Sequence, residues 1–395
     1  MRLLRGLGVV WAGLWLAPAQ SADLPSGLQI HGFASQAFIL TSDNDFFGDS
    51  DDGGSFDFTE LGLNASLRPL PRLQLSAQIL SRRAGEGDDG NIGLDYGFAD
   101  YSFISNPTNL FGLRAGRIKN PLGLYNDTRD VAFTRPSILL PQSIYFDRTR
   151  EVALSADSVQ LYGEHRMRTE LVDFQFGVIR PRVSGQESEL ALLGRDRPGA
   201  LDDKTSFIGR VIYERDSGRL RFALTAAELN IGYDPADGVA DDLSAGSIRF
   251  QPWILSAQYN AERWSLTAEY ALRRFNIKGL GGIPDQSFTG ESYYLQGTYR
   301  FSPRWEALLR YDVLFTDRDD RDGEGFAGAT GRPAHNRFAK DLTVGLGWNI
   351  TPSFLLRAEY HNVDGTGWLP IRDNPDLAAT EEHWDMFLLQ GSYRF

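Results

Sequence analysis

The chain has 395 residues, with 40 Lys and Arg against 52 Asp and Glu, a net charge of −12 and no Cys. This length suits one large domain or two ordinary ones. Without Cys, the chain can form no disulfide bonds, zinc–thiolate sites, iron–sulfur clusters or cysteine nucleophiles. No basic, aromatic-rich stretch indicates a nucleic-acid partner.

The first 22 residues have the composition of an export signal. Arg2 and Arg5 precede the apolar run GLGVVWAGLWLAPA, and small residues follow up to Ala22. A short positive segment, an apolar core of this length and small residues are typical of a secretory signal peptide, and the core is too short to span a bilayer comfortably. The sequence therefore predicts a signal peptide over residues 1–22 and an exported domain over residues 23–395. A buried N-terminal helix is the alternative.

Period-two alternation then recurs along the chain. In RWEALLRYDVLF, Trp305, Leu309 and Tyr311 fall on one face, and Arg310 and Asp312 on the other. Alternation over about ten residues indicates a β-strand, and a membrane-spanning strand needs about that length. Sixteen such stretches are predicted, at residues 28–40, 56–68, 73–83, 93–103, 109–119, 158–167, 169–180, 205–214, 220–231, 247–260, 264–275, 291–301, 305–316, 337–350, 353–363 and 383–395.

The connections between these stretches alternate strictly between short turns and long loops. A membrane-spanning up-and-down barrel has tight turns on the periplasmic side and long loops outside. Because every backbone group must be paired within lipid, the sheet has to close on itself. The sequence predicts an all-β, transmembrane, antiparallel up-and-down β-barrel of about 16 strands. The facing of strands 1, 5 and 10 stays open, and Pro252 in strand 10 suggests a bulge.

The last strand ends on Phe395, with Tyr393 two residues earlier. In a closed barrel this strand would seal against the first, whereas the alternative is an ordinary edge strand. The terminal aromatic pattern resembles the recognition signal used by the outer-membrane assembly machinery. That resemblance implies the barrel assembly machinery as a partner, with Tyr393 and Phe395 as the signal.

The third long loop, residues 120–157, differs from the other long loops, which are acidic and rich in Gly. It is half apolar and contains Pro121, Pro136 and Pro141. A loop of this composition would expose a large apolar surface if it lay in solvent. We therefore expect it to fold inward and narrow the pore. The interior of a 16-stranded barrel is too wide to be filled by side chains and holds water unless it is plugged.

Charged rings at a constriction select ions and small polar solutes. The residues predicted to form the constriction are Arg114, Arg117, Lys119, Asp127, Arg129, Asp130, Arg135, Asp147, Arg148 and Arg150. Those predicted for the pore wall are Arg82, Arg210, Arg221, Arg273, Arg310, Arg357 and Glu359. The alternative is that these charges only brace the wall and anchor the loop by pairing with one another.

The signal peptide, the alternating strands, the long third loop and the terminal Phe together resemble Gram-negative outer-membrane porins over almost the whole mature chain. The block RAGRIKNPLGLYNDTRDVAFTRPSILLPQSIYFDR is similar to a segment of porin-like proteins distantly related to the phosphate-selective porins. The resemblance implies a homotrimer. Phosphate-selective porins have basic pore ladders and a lysine-rich entrance, whereas this chain has few Lys and a net negative charge, which argues against phosphate selectivity.

The sequence therefore predicts a porin in the outer membrane of a Gram-negative bacterium, a passive diffusion channel for small hydrophilic solutes and ions. It predicts no enzymatic activity, cofactor or metal site. The acidic loops at 43–54 and 317–325 do not have calcium-loop spacing, and we expect solvated loops, bridged to lipopolysaccharide by divalent ions. The alternatives are a non-conducting adhesin or structural barrel, which would have a plugged lumen, and an outer-membrane enzyme.

Overall fold

The computed structural model describes residues 27–183, 185–238 and 241–395. The predicted signal peptide, residues 1–22, lies outside the described residues. In the part of the chain that is described, no helix is both long enough and apolar enough to cross a bilayer.

The protein is a closed antiparallel β-barrel. Its strands in chain order are β1 (Gln29–Thr41), β2 (Ser55–Leu70), β3 (Leu73–Ala84), β4 (Asp88–Ser105), β5 (Asn109–Lys119), β6 (Ser155–Arg166), β7 (Glu170–Pro181), β8 (Ala200–Asp203), β9 (Ser206–Arg215), β10 (Leu220–Asp234), β11 (Gly246–Asn260), β12 (Trp264–Lys278), β13 (Gln286–Arg300), β14 (Trp305–Phe315), β15 (Phe338–Thr351), β16 (Phe354–Gly365) and β17 (His383–Arg394). The helical segments of the described residues are all short: Asn126–Thr128, Ala132–Thr134, Arg150–Leu154, Gln186–Leu193, Glu324–Thr330 and Ala334–Arg337.

Each strand of the wall pairs with its neighbours in sequence, and β17 pairs with β1 to close the sheet. The strands β8 and β9 both pair with β10, at different parts of its length. They therefore form one interrupted position, and the wall has sixteen. This confirms the predicted 16-stranded, antiparallel up-and-down class.

Alternation along the strands separates an apolar outer surface from a polar inner surface. In β14, Leu309 is 57% and Tyr311 46% exposed, whereas Arg310 and Asp312 are each 1% exposed. The same period repeats around the wall, where large apolar side chains such as Leu255 and Val344 are exposed. An apolar outer band on a closed barrel is the surface that a bilayer covers.

The structure also gives the facing of the three ambiguous strands. In β1, Ala37 and Ile39 point inward and are fully buried, and in β5 the buried Gly112 marks the inward face. In β11, the fully buried Ser256 marks the inward face. The prediction of a bulge at Pro252 was wrong. The ladder between β11 and β12 runs through Pro252 without a shift, and the ladder to β10 has the same register on either side of it.

The seam between the last and first strands has a close approach at Gly32. The backbone N–H of Phe395 donates to the Gly32 carbonyl at 3.0 Å, and the Gly32 N–H donates back to the Phe395 carbonyl at 3.2 Å. The ring of Phe395 lies where a Cβ on Gly32 would stand. A side chain at position 32 would therefore displace the terminal aromatic ring.

Candidate pore constriction

The segment between β5 and β6, called here the third loop (residues 120–154), crosses the interior of the barrel. Its hydrogen bonds reach wall strands on all sides of the closed sheet. A segment bonded in this way lies within the lumen. The wall residues that take part include Glu60 on β2, Arg210 on β9, Glu269 on β12, Asp312 on β14 and Glu359 on β16.

One part of the third loop, residues 132–144, is called here the anchored segment, and it is held mainly through its backbone. Arg310 donates to the Leu139 carbonyl at 2.9 Å. The Ile138 N–H donates to the Glu359 carboxylate at 2.5 Å. Both wall side chains are nearly fully buried, at 1% and 2% exposed. Charge-assisted bonds of this kind are stronger than neutral ones.

Two further wall residues hold the ends of the anchored segment. Arg357 donates to the carbonyls of Ala132 and Arg135, at 2.6 and 2.7 Å. The Ser143 N–H donates to the Asp312 carboxylate at 3.1 Å. The wall charges thereby satisfy backbone groups that would otherwise be buried without partners, which would be costly.

The rest of the third loop, together with Arg135 of the anchored segment, takes part in a set of ion pairs called here the charged cluster. It brings together five cations and four acids: Arg82, Lys119, Arg129, Arg135, Arg150, Glu60, Asp95, Asp130 and Asp147. In the charged cluster, side chains mostly pair with other side chains, whereas the anchored segment is held mainly through its backbone.

Ion pairs with wall residues hold the loop members of the charged cluster in place. Arg82 Nη2 lies 2.8 Å from Asp147 Oδ1. Lys119 Nζ lies 2.7 Å from Asp95 Oδ1 and also bonds to Asp130. Asp130 in turn accepts from Arg150. A chain of alternating charges thus runs from the end of β5 into the loop.

Burial shapes the electrostatics of the loop side chains. Desolvation, with the nearby Arg129 and Arg82, lowers the pKa of the Arg150 guanidinium well below its ordinary value. Desolvation also lowers the pKa of Arg129, although Asp147 opposes that shift. Burial and the Glu269 carboxylate raise the pKa of the Tyr145 phenol well above its ordinary value. Tyr145 therefore stays neutral and donates to Glu269 at 2.6 Å.

A cavity of about 290 Å³ borders the charged cluster on the side of the long loops. Its charged lining is balanced in sign and comprises Arg82, Arg148, Arg150, Arg182, Asp88, Asp95, Asp147 and Glu151. This space is called here the outer cavity. A small solute entering it would meet both charges at short range.

On the short-turn side of the charged cluster, the inner wall over β4 to β9 carries a second polar group. Arg114 lies 2.8 Å from Asp100, which also accepts from Tyr162 at 2.5 Å. Asp127 of the loop pairs with Arg210 at 2.5 Å and is 36% exposed. The Lys119–Asp130–Arg150 chain therefore lies between the outer cavity and these polar wall residues.

The residues predicted for the constriction, apart from Arg117, divide into three groups. Arg129, Asp130, Arg135, Asp147 and Arg150 lie in the charged cluster with Lys119, and Arg148 lines the outer cavity. Arg114 and Asp127 lie on the short-turn side of the cluster. The seven predicted wall residues, Arg82, Arg210, Arg221, Arg273, Arg310, Arg357 and Glu359, all lie on the inward face of their strands.

Arg117 requires a correction, because its side chain faces away from the lumen. It pairs at 2.8 Å with Asp157, which is 60% exposed and has the same facing as the outward Val159. Alternation allows only one of Arg114 and Arg117 to face inward. Lys119 has the parity of Arg117 but is the last residue of β5, where the chain turns into the lumen.

Sequence reasoning missed the buried acids that hold the loop and its neighbours. Glu60, Asp95, Asp312 and Asp341 are each 4% exposed or less. The parity of Glu60 and Asp312 within their strands indicated an inward facing. Their partners depend on the path of a loop with no periodic pattern. His361 was also missed; it lies 2.9 Å from Asp341 inside the wall.

One group of potential metal ligands lies outside the lumen. Asp364, Glu382 and His383 place one ligand atom each within 4.8 Å of one another. The Lys340 ammonium already lies 2.7 Å from Asp364. Sequence spacing alone could not find this group, because strand pairing brings it together.

No protein-family model matches the chain, and no curated protein sequence does. Solved structures do match its fold. The outer membrane channel DcaP of Acinetobacter baumannii has 12% sequence identity and a TM-score of 0.59, over 93% of this chain and 97% of that one. The anion-selective porin from Comamonas acidovorans has 12% identity and a TM-score of 0.58, over 93% and 99%. A trimer form of the outer membrane protein OmpT of Vibrio cholerae has 12% identity and a TM-score of 0.56, over 93% and 99%. The chain therefore has a porin-like fold.

Proposed function

We propose that this protein is a passive diffusion channel of the outer membrane, through which small hydrophilic solutes and ions move down their gradients. The third loop sets the size limit, and the charged cluster sets the charge preference. We propose transport without catalysis and without a bound cofactor. The observation that carries the proposal is the outer cavity beside the charged cluster, together with part-exposed polar wall residues on the short-turn side of the Lys119–Asp130–Arg150 chain.

Part-exposed polar side chains support a route along the wall formed by β4 to β6. On the β12–β16 side, Glu269, Arg310 and Thr343 are all 2% exposed or less. On the β4–β6 side, the Arg114 and Glu164 side chains are 28% and 23% exposed. Water therefore reaches the wall around Arg114 and Glu164. The proposed route runs from the outer cavity, past Lys119, to the wall around Arg114.

A second function, a non-conducting structural or adhesive barrel, is favoured by a different observation. The third loop is hydrogen-bonded to wall strands on all sides, and most charges of the cluster are buried. Such a loop could act as a permanent plug. The two functions differ in one measurable property, which is whether solute crosses a membrane that contains the folded protein.

The cellular location and the partners of the protein belong to the same proposal. We propose insertion into the outer membrane of a Gram-negative bacterium after export, assembly by the barrel assembly machinery through Tyr393 and Phe395, contact with lipopolysaccharide, and a homotrimer. The similarity to outer-membrane structures, one of them a trimer form, supports this proposal. Crosslinking of the purified protein in mild detergent, followed by electrophoresis, would test the trimer.

The test of transport is a swelling assay on liposomes that contain the folded protein, with neutral sugars of increasing size. The channel proposal expects swelling with the smallest sugars and a sharp decline for larger ones. Liposomes with the heat-denatured protein are the control for leaks. If liposomes with folded protein swell no faster than that control for any sugar, the protein is the plugged barrel instead.

A further inference from the structure

A group of cations lies on the outer surface of the barrel, away from the lumen. Strand pairing sets Arg249 opposite Asn276, and Gln251 opposite Arg274. Lys278 is two residues beyond Asn276 and has the same facing. Arg249, Arg274 and Lys278 therefore surround Asn276 on one outward face, and they are called here the cationic patch.

The cations of this patch are exposed and only weakly compensated. The Arg249 side chain is 57% exposed, and its nearest acid, Glu228, is 4.0 Å away. Arg274 and Lys278 are exposed, and neither forms an ion pair within 4 Å with any residue that the structure describes. A fourth cation, Arg318, follows nearby, because its backbone N–H donates to the Thr289 carbonyl at 2.8 Å and Thr289 is paired with Arg274. Arg318 is itself paired with Asp319 at 3.6 Å, so it adds little to the excess of charge.

Other cations with the same outward facing are neutralised by acids. Arg83 lies 2.9 Å from Asp57, and Arg117 lies 2.8 Å from Asp157. Arg180 lies 3.5 Å from Asp203. These pairs leave little net charge for a partner. The cationic patch is therefore a local excess of positive charge on a chain whose net charge is −12.

The position of the patch along the strands points to the depth of lipid headgroups. Trp253 and Leu255 are 56% and 59% exposed and lie on the outward face of β11. Gln251 and Arg249 continue the same face towards the start of the strand. On β12, Leu272 precedes Arg274. The outward face thus changes from apolar to cationic within one alternation, and it does so towards the end where the long loops lie. Aromatic residues such as Trp253 are typical of the membrane–water interface.

Hydrogen-bonding groups accompany the charges. The Ser287 hydroxyl donates to Asn276 at 2.9 Å, and Thr289 stands opposite Arg274 in the ladder between β12 and β13. Guanidinium and ammonium groups next to hydroxyls suit phosphate oxygens, which accept several charge-assisted bonds at once. An apolar surface directly beside them suits acyl chains.

We propose that the cationic patch binds the phosphorylated headgroup of an anionic lipid, while the acyl chains of that lipid lie against Trp253 and Leu255. The partner is a membrane lipid and not a soluble phosphate, because the charges and the apolar band form one continuous surface. The patch fixes the depth of the barrel on this side. It is independent of solute transport, since none of its residues faces the lumen.

The test is native mass spectrometry of the purified protein, released from neutral detergent micelles doped with either bis-phosphorylated lipid A or phosphatidylcholine. The wild-type protein should retain lipid A in preference to phosphatidylcholine. A cation near an anionic headgroup contributes roughly fivefold to binding, so the R249Q/R274Q/K278Q variant should retain lipid A about 100-fold less tightly. R274Q alone should lose part of this affinity for lipid A. It provides the test if the triple variant does not fold.

The matched control is R83Q/R117Q/R180Q, which removes three outward cations that already have acidic partners. It should retain lipid A as the wild type does. All variants should first show the heat-dependent electrophoretic mobility of a folded barrel. An equal loss of lipid A in the control variant would show that only net charge matters. Unchanged retention of lipid A in R274Q and in the folded triple variant would show that the patch binds no lipid. Either result overturns the proposal.

Discussion

The anchored segment and the loop residues of the charged cluster belong to the same loop, yet they are held to the wall in different ways. The anchored segment offers its backbone to buried wall charges such as Arg310 and Glu359. The charged cluster joins side chain to side chain and borders the outer cavity. Backbone anchoring fixes the loop whatever side chains it carries. Side-chain pairing beside the outer cavity leaves Arg82, Asp147 and Arg150 in the lining of that cavity.

The largest expected effect comes from removing the anchored segment. Replacing residues 132–144 with a short Gly-Ser linker should open the β12–β16 side of the lumen, because a 16-stranded barrel without its loop holds a water-filled channel. We expect single-channel conductance to rise about threefold or more, on the grounds that the free cross-section grows. Conductance steps in a planar bilayer would measure it, and unchanged steps would mean that the segment does not obstruct the lumen.

Next in size is the loss of one buried anchor. Arg310→Met removes the cation that holds the Leu139 carbonyl and lies 3.9 Å from Asp341. Breaking a buried ion pair by removing one partner typically costs about 3–5 kcal/mol. Urea denaturation, followed by loss of the heat-modifiable electrophoretic band, should show this destabilisation. Arg166→Met is the control, because Arg166 forms an exposed pair with Glu164 and should change stability by less than about 1 kcal/mol.

A smaller and more specific effect should separate the lumen from the outer surface. Lys119→Gln removes a cation from the charged cluster, whereas Arg117→Gln removes one from the outward face of the same strand. A unit charge at about 4 Å in water is worth about 1 kcal/mol, or roughly fivefold in local ion concentration. We expect the reversal potential under a salt gradient to shift towards cation preference in the first variant only. An equal shift in both would mean that Lys119 has no special place on the route.

The smallest expected effect is at the seam. Phe395→Ala removes the ring that covers Gly32 but keeps the two backbone hydrogen bonds. Truncation of this aromatic, which is 63% exposed, should lower the free energy of unfolding by about 1 kcal/mol and leave conductance unchanged. Thermal unfolding and bilayer conductance, measured on the same sample, would check both statements. A changed conductance would mean that the seam reaches the pore.

The comparison also shows what could be predicted from the sequence. The membrane-crossing parts of the strands were placed to within a few residues, because a barrel wall between lipid and lumen imposes a strict period of two. Strand ends were less accurate. We expected the fourth strand to begin at residue 93 and the twelfth to begin at residue 291, whereas β4 begins at Asp88 and β13 at Gln286. The ladders continue beyond the apolar band as polar ribbons, where alternation no longer marks them.

The inner surface was predictable only in part. The parity of a strand residue gave the inward facing of wall residues such as Arg310 and Glu359. It could not give the partners of the loop charges, since those depend on the path of residues 120–154. The position of Arg117, whose side chain faces outward, shows a second limit of prediction from sequence. Positive charge near the loop was not sufficient to place a residue in the lumen, because alternation decides the facing.

The central claim is that solutes pass through this barrel beside the charged cluster. Single-channel recording of the purified protein in a planar bilayer, under a salt gradient, tests it most directly. We predict steady ohmic steps, with a reversal potential that Lys119→Gln shifts and Arg117→Gln does not. The absence of any conductance from folded, heat-modifiable protein would contradict the claim and identify the third loop as a permanent plug.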